Sequence, residues 1–85
     1  MEITVKYLSV LKDKAGTAKE VFSIPANSAL SDLTGLIESK SGIRLPDPHV
    51  MMVLNGKGVN QYPEKLQTPL NNGDTLLLLP PVSGG

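Results

Sequence analysis

Eighty-five residues, eight basic and eight acidic side chains and no cysteine describe one small, neutral domain. A domain of this size buries about 60% of the surface its unfolded chain exposes, which leaves no room for a cofactor cavity beside a catalytic constellation. The charge balance excludes a general nucleic-acid binder, which needs a basic face to release counterions, and an electrostatic membrane anchor; the missing cysteines exclude disulfides, a thiolate zinc site and a cysteine nucleophile.

The opening segment, MEITVKYLSVLKDK, lacks the basic stretch and unbroken apolar run of a signal peptide. No apolar run approaches the ~20 residues of a membrane helix, and the expected location is the cytoplasm. Ile3, Val5 and Tyr7 alternate with Thr4 and Lys6, a period of two that predicts a strand with one buried face. Continued, that alternation sends Leu8 and Val10 to the other face. Residues 12–19 are polar and Gly16 marks a turn. Residues 20–24, EVFSI, predict a second strand paired with the first as a hairpin, closed by Pro25.

Over residues 27–42 the period changes. Leu30, Leu33, Leu36 and Ile37 fall at helical spacing. Ser28 is the expected N-cap, Asp32 and Lys40 complement the helix dipole, and Gly42 is the expected C-terminal glycine. Gly35 costs about 1 kcal/mol inside a helix relative to alanine; close packing against a sheet would explain it. Residues 50–54, VMMVL, predict a strand, and Asn55-Gly56 is the dipeptide that tolerates a type I′ hairpin turn. Residues 57–60 are then a short partner strand. Residues 61–70, with two prolines, read as an irregular connection containing one helical turn. A tight turn at 71–74 leads to the last strand, TLLLL, at 75–79.

The expected fold is α+β: a mixed sheet of about five strands with one main helix across one face. The first and last strands are the most apolar and so the most central. Residues 1–79 form the domain and residues 80–85 a tail. If Leu76 and Leu78 face the helix, Leu77 and Leu79 face away from it, joining Leu8 on a surface with nothing left to cover it. Such a surface is a protein-docking patch, unless the 61–70 connection folds over it.

Pro80 and Pro81 hold φ near −65° and favour an extended exit. Gly84 and Gly85 lack side chains and fit a channel too narrow for a Cβ. Taken alone, a terminal Gly-Gly reads as a frayed end; directly after a double proline on a central strand it reads as a reactive terminus. Joining its carboxylate to AMP makes an anhydride open to attack. A sulfur donor would leave a thiocarboxylate, and an amine would make an isopeptide bond. Other chemistry is poorly supported. His49 is the single histidine, NGKGVN (55–60) lacks phosphate-loop spacing, and Ser9, Ser23 and Ser83 have no base nearby. No metal site is expected.

The tail PPVSGG (80–85), the AGT loop (15–17), the single helix and the NGD turn (72–74) together resemble the sulfur-carrying small subunits of molybdopterin synthase, a ubiquitin-like, β-grasp family. The resemblance covers most of the chain, and the Pro-Pro-Val-Ser-Gly-Gly ending is its most specific part. It implies a carrier with no active site and no bound cofactor of its own. An ATP-using, E1-like enzyme would adenylate Gly85, and a sulfur donor protein would convert it to a thiocarboxylate. The large synthase subunit would then receive the tail and pass sulfur to a pterin precursor. Carried over, Gly85 bears the sulfur beside Gly84. Pro80, Pro81, Val82 and Ser83 are the inserted tail, and Leu8, Leu77, Leu79 and Val59 contact the partner. Leucines 8 and 79 stand where the family commonly has aromatic residues, and residues 55–69 form a longer connection than usual. Related carriers serve thiazole synthesis or tRNA thiolation, and some modify lysines.

Overall fold

The computed structural model describes residues 1–81. Its elements are β1 (Glu2–Tyr7), α1 (Val10–Ala15), β2 (Lys19–Ser23), α2 (Leu30–Ser41), β3 (Met51–Leu54), β4 (Lys57–Gly58) and β5 (Thr75–Leu79), with 3-10 turns at Val59–Gln61 and Lys65–Gln67. The five strands form one sheet in the order β2-β1-β5-β3-β4. β1 and β5 run parallel; the other neighbours are antiparallel. The two most apolar strands are thus inside the sheet, where both edges of each are paired and burial is greatest.

The core lies between the sheet and α2. Ile3, Val5 and Tyr7 of β1 and Leu76 and Leu78 of β5 meet Leu30, Leu33 and Ile37, all at most 1% exposed. Leu36, expected in this stripe, is 44% exposed. Thr34 takes the inward place instead, its hydroxyl donating to the Ser31 carbonyl at 3.0 Å. At 100° per residue, position 34 falls nearer than position 36 to the line through 30, 33 and 37.

Gly35 is exposed, and a Cβ there would meet nothing within 4 Å; close packing does not account for it. Helix α2 begins at Leu30, one residue later than an N-cap at Ser28 would set, and Ser28 is not its cap. The Ser28 hydroxyl donates to the Pro25 carbonyl at 2.7 Å, while the Asp32 carboxylate reaches back to accept from the Ala29 N–H at 2.8 Å. That carboxylate supplies the N-terminal half-box a serine cap would have begun. Gly42 closes the helix with φ 77°, its N–H bonded to the Glu38 carbonyl at 2.8 Å.

Two segments differ from expectation in kind. The polar stretch after β1 contains helix α1, anchored by buried Leu11 and ended by Gly16 with φ 78°. The strand therefore stops at Tyr7, and exposed Val10 opens α1 rather than continuing the open face of β1. Secondly, β4 is two residues long and Val59 begins a 3-10 turn. The Asn55-Gly56 turn has φ of 51° and 82°, the positive pair a type I′ hairpin requires.

Candidate functional site

The alternation in β5 places Leu76 and Leu78 in the core and leaves Leu77 and Leu79 half-buried on the opposite face. Register then determines what stands beside them. Leu79 is opposite Met51 and Leu77 opposite Val53 on β3, and directly opposite antiparallel residues share a face. On the other flank Lys6 pairs with Leu77. The Leu8 N–H donates to the Leu78 carbonyl at 3.0 Å, which extends the parallel ladder one step and sets Leu8 beside Leu79. The open face therefore carries one row of Leu8, Leu79 and Met51, and below it a row of Lys19, Lys6, Leu77 and Val53. Leu8 and Met51 are 43% and 40% exposed. The apolar rows lie at the end of the sheet where β5 runs into Pro80 and Pro81.

The 61–70 connection does not cover this face. It packs on the helix side: the Leu30 N–H donates to the Thr68 carbonyl at 2.9 Å, and the Leu70 N–H to the Ser28 carbonyl at 3.0 Å. Leu70 is buried in the core, and the Tyr62 hydroxyl donates to the Leu54 carbonyl at 2.6 Å. The 61–70 connection thus supplies a free helix N–H with a partner and closes one end of the core.

Of the expected contact residues, Leu8, Leu77 and Leu79 come together. Val59 does not join them. It is 5% exposed and belongs to the hydrophobic core, because the chain turns inward after β4 instead of extending along the sheet. Met51 and Val53 complete the surface in its place. Their alternation in VMMVL showed that they share a face, but only pairing with β5 shows which one. Pro80 is half-buried and Pro81 exposed; Val82, Ser83, Gly84 and Gly85 lie outside the described residues.

Among the described residues no His, Cys, Asp and Glu group could hold a metal ion, and His49 is exposed with its backbone N–H bonded to the Asp47 carboxylate at 2.7 Å. No helix among them is long and apolar enough to cross a membrane. The chemistry this site can offer is association through a sheet face beside the point where β5 runs into Pro80 and Pro81.

Comparison with known proteins agrees with this architecture. Over its whole length the chain is 25% identical to a molybdopterin synthase sulfur carrier subunit from Drosophila yakuba, covering 92% of that protein. The small archaeal modifier protein 1 from Methanosarcina acetivorans has the same fold, with a TM-score of 0.79 at 25% identity over 99% of this chain and 96% of that one. A structure of subunits 1 and 2 of the molybdopterin-converting factor from Helicobacter pylori, solved as a protein–protein complex, contains a chain 29% identical to this one, with a TM-score of 0.69 and full coverage of both chains. These are ubiquitin-like β-grasp proteins. The ThiS family model matches residues 5–85, and the chain belongs to that family.

Proposed function

We propose that this protein is the sulfur-carrying small subunit of a molybdopterin synthase. The observation that carries the reading is the uncovered row of Leu8, Leu79 and Met51 at the mouth of the strand that runs directly into the Pro-Pro-Val-Ser-Gly-Gly ending. A sheet face at that position orients the tail as it docks, so a short arm reaches a fixed depth in the partner. The Drosophila relative's function and the subunit complex from Helicobacter pylori support the same assignment.

In this reading the domain is an anchor and the reacting atom is the Gly85 carboxyl carbon. An activating enzyme joins the carboxylate to AMP, with pyrophosphate leaving. A donor persulfide displaces AMP to give an acyl disulfide, and a second thiol cleaves its S–S bond. The freed thiocarboxylate enters the large subunit to give its sulfur to the pterin precursor, leaving the carboxylate again. In this reading the partners supply the catalytic groups for these steps. Gly84 and Gly85 let the acyl group pass where a side chain would block it, and Pro80, Pro81, Val82 and Ser83 are the portion inserted.

Intact-mass measurement after incubation with ATP, the cognate activating enzyme and a sulfur source tests this. Exchange of one oxygen for sulfur adds roughly 16 mass units, and the change maps to Gly85. No such species with an active enzyme refutes the carrier chemistry. The likeness to the archaeal modifier favours a second reading, attachment of Gly85 to lysine amines. The same reaction with a protein lysine as acceptor would then yield a branched peptide at Gly85 and no stable thiocarboxylate.

A further inference from the structure

The open face is divided. Its β5–β3 half is apolar, and its β1–β2 half carries Lys6 and Lys19, which stand directly opposite each other in the antiparallel ladder. Both are exposed. Like charges at such a position destabilise the pair. Among the described residues none on the same face forms an ion pair with them, and the flanking positions are Thr4, Val21, Leu77 and Leu8. The nearest carboxylate along β1 on this face is Glu2, four residues away, or about 13 Å at strand rise. Among the described residues, Glu20 is paired with Lys40 on the helix side, and neither Lys6 nor Lys19 has an ionic partner.

Register makes this arrangement more than a solvated edge. Lys6 is beside Leu77 on the adjacent strand, about 4.8 Å away in backbone spacing. A partner that covers Leu77, Leu79 and Met51 must bring its own surface over or against Lys6. An ammonium group at the border of an excluded apolar patch loses water and needs an anion in exchange. We infer that the protein surface docking on this face has an apolar centre flanked, on the side facing β1 and β2, by carboxylates that pair with Lys6 and Lys19. The repulsion between the two lysines in the free chain is relieved when that surface binds. The inference rests on the carrier reading, and the partner it commits to is the adenylating enzyme.

The test uses the full chain and its cognate adenylating enzyme. Lys6→Glu and Lys19→Glu are made singly and together, with Lys65→Glu, on the helix-side connection, as a control for net charge. Affinity is measured at low and high ionic strength, and thermal midpoints are measured on the free chains. Each face variant should weaken the complex about tenfold at low salt, and the double variant more, whereas the control binds like the wild type. The wild-type complex should weaken as salt rises and the double variant should lose that dependence. Each single reversal should raise the thermal midpoint of the free chain, since it turns a like-charge pair into an opposite one. Unchanged affinity and salt dependence in the double variant overturns the inference. If Gly85 is still converted to the thiocarboxylate in that case, the carrier function stands without it. A wild-type chain that neither binds the enzyme nor is modified removes both.

Discussion

Gly35 sits on the solvent side of α2 with helical neighbours and open space where a side chain would be. Its backbone is within reach of any residue, since it has no positive φ. Replacing it with alanine adds no clash and removes conformational freedom from the unfolded chain. Gly35→Ala should therefore stabilise the protein by about 0.5–1 kcal/mol, a rise of about 4–8 °C in Tm per kcal/mol for a domain of this size. Calorimetry or thermal circular dichroism reads it; a lower Tm would show a packing role the geometry lacks. Asn55 shows the opposite economy. Besides its positive φ in the hairpin turn, its side chain donates to the Asp74 carboxylate and accepts from the Thr75 N–H, each at 2.9 Å. The turn was legible from the dipeptide. The clasp onto the start of β5 was not, because its partners are 19 and 20 residues away.

Strand β5 has two faces with different duties. Leu76 and Leu78 are fully buried; Leu77 and Leu79, one bond-alternation away, are half-buried. Leu78→Ala leaves a hole in a filled core and should cost about 2–5 kcal/mol, seen as a lower urea midpoint. Leu77→Ala or Leu79→Ala removes surface that is already partly wet and has no enclosed cavity to leave, so its cost should be well below that of Leu78→Ala. In the carrier reading those same two changes should weaken partner binding instead, by isothermal calorimetry. Equal destabilisation by all three variants would mean that the open face is not open in solution. The run of leucines by itself foretold the alternation. Which parity faced the helix came from register with β1, and the neighbours Met51 and Val53 came from register with β3.

At the scale of the molecule, one polar chain ties three elements. The Tyr7 hydroxyl of β1 donates to the Glu20 carboxylate of β2 at 3.2 Å, and Glu20 pairs with Lys40 of α2, which also lies 5.6 Å from the centre of the Phe22 ring. Burial raises the Tyr7 phenol well above its ordinary range, and the adjacent Glu20 charge and hydrogen bond push the same way. The folded protein thus keeps a proton that the unfolded chain gives up once pH passes about 10. The unfolded state then binds fewer protons, so stability is intact below that pH and falls as pH rises above it. Urea titrations on either side of that point should show the fall, and Tyr7→Phe should flatten it. An unchanged slope in the variant would place the alkaline sensitivity elsewhere.

The order of the five strands and the main helix, the central place of the first and last strands and the hairpin turn were legible in local pattern, whereas the short helix α1 was not. Periodicity, turn dipeptides and apolar runs act over a few residues, and those forces are written in neighbouring letters. What the tertiary structure alone decided is which residues share the open face. Val59 went to the core, Met51 and Val53 came to the surface, and Lys6 met Lys19, because strand register and the path of the 61–70 connection are set by contacts between distant segments. The physical reason is that a side chain's face depends on its own strand's alternation, whereas its company depends on the strand beside it.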